Sequence, residues 1–129
     1  MLLSLDFVYT PTRDVDAAIA QHVAGFGAVL EWKVRAMDTV VACLRVSETG
    51  PKILLSEHVE GERPILVYRV ANYRAAVEQL RAAGAHDVRE LEIPHGPCAS
   101  LRMANGQRCA VYELVRPGAM THFDGRFDE

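Results

Sequence analysis

At 129 residues, half of them hydrophobic, the chain is long enough for one compact domain with a sizeable core, which excludes a disordered or fibrous protein. The formal charge is −3, and the twelve Arg and two Lys are scattered among seventeen acids, so no basic stripe exists and nucleic acid is not an expected partner. Three cysteines without a CxxC spacing suit a reducing compartment, and the opening MLLSLDF is neither a signal peptide nor a membrane span; a cytoplasmic protein that does not bind membranes is expected.

Leu5 to Tyr9 reads as a short first strand. Asp14 is a good N-cap, the spacing of Val15, Ala18, Ile19 and Val23 predicts a helix, and Gly27 closes it. Turn residues then separate three strands at about 29–35, 39–46 and 52–58. Glu60-Gly-Glu-Arg-Pro64 is the natural linker, and beyond it the series starts again. A strand at Ile65 to Val70 leads to the N-cap Asn72, a helix through Tyr73, Ala76, Val77 and Leu80, and the closing Gly84. Strands at about 87–93, 98–104 and 108–115 complete the second set, and a tail follows from 118 to 129.

The two sets are copies. Asp14-Val-Asp-Ala-Ala-Ile19 lies 58 residues before Asn72-Tyr-Arg-Ala-Ala-Val77, and Ala42, Leu44 and Arg45 lie 57 before Ala99, Leu101 and Arg102. Gly50, Lys52 and Glu57 lie 56 before Gly106, Arg108 and Glu113. Each half is therefore βαβββ. The expectation is a single α+β domain made of two tandem modules, about 1–59 and 64–117, because a repeat of this kind has a face that it buries only against its copy.

Asn105-Gly106 between alternating runs predicts a two-residue hairpin turn with Ala104 paired to Gln107. That register puts Cys98 opposite Glu113, Ser100 opposite Val111 and Arg102 opposite Cys109 on one face. Ala99, Leu101, Met103, Ala110, Tyr112 and Leu114 then form the apolar face under the helix. Carried through the repeat, the first face takes Val41, Cys43, Arg45, Ile53, Leu55 and Glu57 in the first half. Glu57 and Glu113 thereby become equivalent carboxylates on equivalent polar faces.

Tandem βαβββ modules with Asp-x-x-Ala-Ala at the helix start and a Gly106-to-Glu113 ending resemble the vicinal oxygen chelate superfamily, which includes glyoxalase I, extradiol dioxygenases, fosfomycin-resistance enzymes and bleomycin-resistance proteins. The resemblance runs to about Pro117. It implies a curved, cup-shaped mixed sheet with helices on its outer face. In the metalloenzymes of the superfamily a divalent metal sits in the cup, held in the glyoxalase-like pattern by His, Glu, His and Glu from the first and last strands of each module. The two glutamate positions fall on Glu57 and Glu113. The histidine positions, seven residues before Asp14 and before Asn72, fall on Phe7 and Ile65, and the alternative match of Val8-Tyr9 to Val67-Tyr68 supplies no histidine either. Two carboxylates without imidazole suit Zn, Ni or Fe poorly, so neither a tightly held metal nor another cofactor is expected.

The leading expectation is a small-molecule-binding protein resembling the bleomycin-resistance proteins, with a cationic or amine ligand drawn by Glu57 and Glu113. Phe7, Ile65, Ile53, Leu55 and Val111 would line the site, with Trp32 either as a flat wall or as ordinary core. Cys98 would share that face, its thiol made less acidic by Glu113 and so not a nucleophile. The alternatives are a glyoxalase-like or dioxygenase-like lyase, isomerase or oxygenase using Glu113 or Glu57, and a homodimeric interaction module whose cup is filled by its own side chains. His58 reads as a surface residue, and His95, in Pro94-His-Gly-Pro97, as a loop residue within reach of a cavity mouth. A homodimer is expected by analogy.

Overall fold

The computed structural model describes residues 1–36, 38–58 and 61–129. Val59 and Glu60, where the first module was expected to end and the linker to begin, lie outside the described residues. The chain is α+β, and each predicted strand and helix is present. Its elements are β1 (Leu2–Pro11), α1 (Val15–Phe26), β2 (Val29–Ala36), β3 (Thr39–Arg45), β4 (Lys52–Ser56), β5 (Ile65–Val70), α2 (Tyr73–Ala82), β6 (His86–Ile93), β7 (Gly96–Arg102) and β8 (Arg108–Tyr112). Among the described residues no helix is long and apolar enough to cross a membrane.

The chain forms two compact units. Phe7–Pro64 joins Thr121–Glu129 in one, and Met1–Asp6 joins Ile65–Met120 in the other; these are called the first and second modules below. In the first module β4 pairs in parallel with β1 and antiparallel with β3, and β3 pairs antiparallel with β2. Val15 of α1 packs with Ala28, Val40, Ala42, Leu44 and Leu55, and Ala18, Ile19, Leu30 and Ile53 close the margins. The helix starts where Asp14 Oδ1 accepts from the Ala17 N–H at 3.0 Å, and it stops at Gly27, whose left-handed backbone (φ 72°) turns its N–H back to Val23 O. Lys33 is buried beside α1 and paired, its ammonium 2.5 Å from Asp16 in the first helical turn.

The second module repeats this plan. β8 pairs in parallel with β5 and antiparallel with β7, and β7 pairs with β6. Val70, Ala76, Val77, Ala99 and Val111 form its core under α2, and Asn72 caps that helix by accepting from the Ala75 N–H at 3.0 Å.

The hairpin register differs from the predicted one by a single residue. Cys98 pairs with Tyr112, Ala99 with Val111 and Ser100 with Ala110. The turn holds three residues, Ala104, Asn105 and Gly106: Met103 and Gln107 close it, Met103 O accepts from Gly106, and Gly106 takes φ 88°. This is the longer hairpin solution, a turn followed by one left-handed residue, and Asn-Gly fits it as well as the shorter one. A one-residue slip inverts a strand. β8 therefore turns Cys109, Val111 and Glu113 towards α2, and Ala110 and Tyr112 away from it. β4 behaves alike, with Ile53 and Leu55 under α1, while Val41, Cys43 and Arg45 keep their predicted face.

The last residues add to the outer edge of β2. Lys33 N–H donates to Arg126 O (2.8 Å), Asp128 N–H to Lys33 O (2.9 Å) and Gly125 N–H to Glu31 O (3.0 Å). Phe123, in a 3-10 turn, thereby reaches the Trp32 ring, with centroids 5.3 Å apart.

Candidate functional site

The two equivalent glutamates hold the two helix starts. Glu57 Oε2 accepts from the Val15 N–H at 2.9 Å, and Glu113 Oε1 accepts from the Tyr73 N–H at 2.8 Å. Val15 and Tyr73 are the first residues of α1 and α2, whose leading N–H groups have no partner inside the helix. A carboxylate there also meets the positive end of the helix dipole. The placement of Glu57 and Glu113 on the faces away from the helices is thus corrected, and the cause is the hairpin slip. Leu55 and Val111, expected to line the site, are core residues 1% exposed beneath α1 and α2, and Ile53 packs with Leu55. Cys98 keeps its predicted face but stands beside Tyr112 rather than Glu113; burial alone pushes its thiol up to about 11.

Phe7 and Ile65 stand on the faces away from the helices, and so does Trp32, which a β-bulge separates from Leu30, the core-facing residue expected to share its face. Trp32 pairs with Cys43, and Phe7 with Lys52, on the first-module face away from α1. A β-bulge between Leu30 and Trp32 brings Glu31 onto this face too, where Lys52 binds it at 2.6 Å. Burial pushes the Cys43 thiol up to about 12, with Lys52 opposing and Glu31 adding to the shift. Phe123 of the tail covers the Trp32 ring. Nearby, His58 Nδ1 lies 2.5 Å from Ser56 Oγ and 2.8 Å from Thr39 Oγ1, with Tyr9 edge-on to its ring. The face is aromatic and its charges are paired.

The face of the second module away from α2 carries different chemistry. Tyr112, buried in β8, donates its hydroxyl to Asp6 Oδ2, and Ser4 donates to Asp6 Oδ1 at 2.6 Å. Burial, then the bond to Asp6 and the charge of that carboxylate, push the phenol above its ordinary range, so Tyr112 keeps its proton. The half-buried His95 ring stands edge-on to Tyr112, with centroids 5.5 Å apart. Burial holds the imidazole below its ordinary 6.5; Asp6 opposes that shift and Arg116 adds to it. Arg69, opposite Tyr112 in the β5–β8 pairing, is part of the same face.

His95 is firmly positioned. It sits in the Pro94–His95 turn between β6 and β7, and its carbonyl accepts from Val115 (2.9 Å) and Arg116 (3.0 Å). The Arg116 guanidinium bonds the carbonyls of Pro94 and Ile93, each at 2.7 Å. Gly96 permits this close approach: a Cβ there would collide with the Glu113 carbonyl oxygen and stand 3.0 Å from Val115 Cγ2. Of these residues, sequence reasoning singled out only His95. Tyr112 was assigned to the helix side by the slip, and Asp6 and Arg69 carry no motif. The one available signal was a lone arginine within ILVYRV, an otherwise apolar strand.

No family model matches the sequence, and no curated protein does either. Solved structures do resemble the fold. Methylmalonyl-CoA epimerase from Mycobacterium tuberculosis matches with a TM-score of 0.71 at 19% identity, over 89% of this chain and 90% of that one. A Streptomyces coelicolor methylmalonyl-CoA epimerase variant in complex with 2-nitronate-propionyl-CoA gives 0.71 at 16% identity, over 89% and 96%. A hypothetical protein from Bacillus halodurans C-125 gives 0.70 at 16%, over 85% and 93%. The fold is that of the vicinal oxygen chelate proteins.

In the vicinal oxygen chelate metalloenzymes the first and last strands of each module hold the metal. Here those strands present Phe7 and Tyr9, Leu54 and Ser56, Ile65 and Val67, and Ala110 and Tyr112 on the faces away from the helices. None of these is an imidazole, and the carboxylate of Asp6 in β1, which meets Tyr112 on the second-module face, is engaged by the hydroxyls of Ser4 and Tyr112. Glu57 and Glu113 point the other way, each with one oxygen on a helix N–H. Among the described residues no three of His, Cys, Asp and Glu cluster as a metal site. The donor set does not fit a resident divalent metal of the glyoxalase type.

Proposed function

We propose that this chain catalyses proton transfer at a carbon beside the carbonyl group of a small acyl substrate, an isomerase-type or lyase-type reaction run by side chains of the second module. The observation that carries the proposal is the His95–Tyr112–Asp6 group: a half-buried imidazole of lowered pKa, on a braced turn, against a buried tyrosine bonded to a carboxylate. An imidazole neutral at pH 7 is ready to accept a proton. His95 takes the proton, the electron pair of the C–H bond passes towards the carbonyl oxygen, and the same carbon regains a proton from the imidazolium or from water. Asp6, fixed by two hydroxyl donors, supplies negative charge near the imidazolium. Tyr112 stays protonated and orients Asp6.

The likeness to methylmalonyl-CoA epimerases supports this reading over ligand binding without chemistry. Glu57 and Glu113, bonded to helix N–H groups, give no reason to expect a cationic ligand. The test is hydrogen exchange at C2 of methylmalonyl-CoA in D2O, followed by mass spectrometry with the full chain. Exchange well above the buffer rate, reduced about a hundredfold or more in His95→Asn, is expected. Wild-type exchange no faster than buffer, with this thioester and with propionyl-CoA, would sink the proposal. Saturable binding of the thioester without exchange would return the chain to the class of ligand-binding proteins.

A further inference from the structure

We infer that Arg69 is an anchor for a carboxylate group of the substrate on the second-module face. Arg69 stands in β5 directly opposite Tyr112, in a strand otherwise made of apolar residues and one tyrosine. Its Nε is out of contact with solvent and has no hydrogen-bond partner. The ion pairs among the described residues do not include it. A buried N–H without an acceptor forfeits its hydration and gains nothing in return, so folded proteins supply such groups with a partner, water or a ligand. Asp6, the carboxylate that meets Tyr112, is committed to the hydroxyls of Ser4 and Tyr112.

The repeat shows that this charge is no requirement of the βαβββ plan. In the first module the pair equivalent to Arg69 and Tyr112 is Pro11 and Ser56, partners in the β1–β4 pairing as Arg69 and Tyr112 are in β5–β8. The guanidinium is therefore present on one module only, on the face that also holds His95. The planar fork of a guanidinium matches the two coplanar oxygens of a carboxylate. The substrate class that follows is a small acyl compound carrying a free carboxylate. This deepens the proton-transfer reading and rests on it for the word substrate, while the anchor itself is testable separately.

The probes are methylmalonate, its neutral diamide and inorganic phosphate, titrated into the full chain at constant ionic strength and followed by calorimetry. Wild type is expected to bind methylmalonate but not the diamide. Arg69→Met should weaken methylmalonate binding about tenfold or more, and Arg69→Lys, which keeps charge without the fork, should lose less. Because Met removes an unpaired buried N–H, its melting temperature should equal or exceed that of wild type, which a purely structural arginine would not allow. Unchanged methylmalonate affinity in Arg69→Met, no binding by wild type, or phosphate binding of equal strength would each overturn the assignment. Should Arg69→Met not fold, Arg69→Gln carries the same test. Arg69-dependent binding without His95-dependent exchange keeps the anchor and removes the proton-transfer reading; exchange that ignores Arg69 does the reverse.

Discussion

At the scale of single residues, Glu57 and Glu113 cap the two helix starts, and His95 is the residue we propose as the base. Each helix start has two acceptors. Asp14 or Asn72 takes the third N–H of the helix, and Glu57 or Glu113, arriving from the end of the last strand of the module, takes the first. Replacing half-buried Glu113 by Ala should cost about 1–2 kcal/mol in urea unfolding, and by Gln less, since an amide oxygen still accepts. A loss of exchange activity in Glu113→Gln with stability intact would instead assign the carboxylate to the chemistry. His95 makes a pH prediction. Its folded-state pKa lies below the ordinary 6.5, so the neutral base persists to lower pH than for an exposed histidine. The acid limb of kcat/KM should fall below that value and disappear with His95. Unfolded chains bind this proton more readily, so stability that is present above 6.5 declines as pH drops through the folded pKa. The slope of urea stability over that interval should flatten in His95→Asn.

At the scale of elements, the tail is the part whose structural role is new. Residues 125–128 give the exposed edge of β2 main-chain partners, and Phe123 shields Trp32. An unpaired edge is a hazard for strand-to-strand association. Deleting 121–129 should red-shift Trp32 fluorescence, speed amide exchange at Lys33, and promote association seen in light scattering. An unshifted spectrum with Lys33 still protected would show that the tail does not hold this position in solution. Tail contacts are illegible in sequence because they join residues about ninety positions apart. The strands and helices were legible, since caps, glycines and period-two or helical spacing are local signals. The register was not: Asn105-Gly106 serves two-residue and three-residue loops alike, and choosing between them decides whether Glu113 or Tyr112 faces α2. That one choice misplaced Glu57, Leu55 and Val111 together, because the repeat carried it from one module to the other.

At the scale of the whole molecule, the two copies share what builds a module and differ on the faces away from the helices. The preserved pairs are Asp14 with Asn72 and Glu57 with Glu113, all of which serve helix starts. On the opposite faces Pro11 answers to Arg69, Ser56 to Tyr112 and Leu54 to Ala110, and nothing chemical is shared. Internal repetition therefore marks scaffold here, and divergence between the copies coincides with the site proposed above. The same contrast predicts the response to metals. With imidazoles absent from the end strands and both glutamates engaged at helices, the acid-base groups of the second module should act alone. Protein treated with EDTA and desalted should retain its hydrogen-exchange activity, and added Co2+ or Mn2+ should move the melting temperature by less than about 2 °C, because a site that binds tightly would stabilise the fold by mass action. One equivalent of metal that survives purification, whose removal abolishes exchange and whose binding fails in Glu113→Gln, would require Glu113 to leave the Tyr73 N–H. It would overturn the assignment of the chemistry to His95.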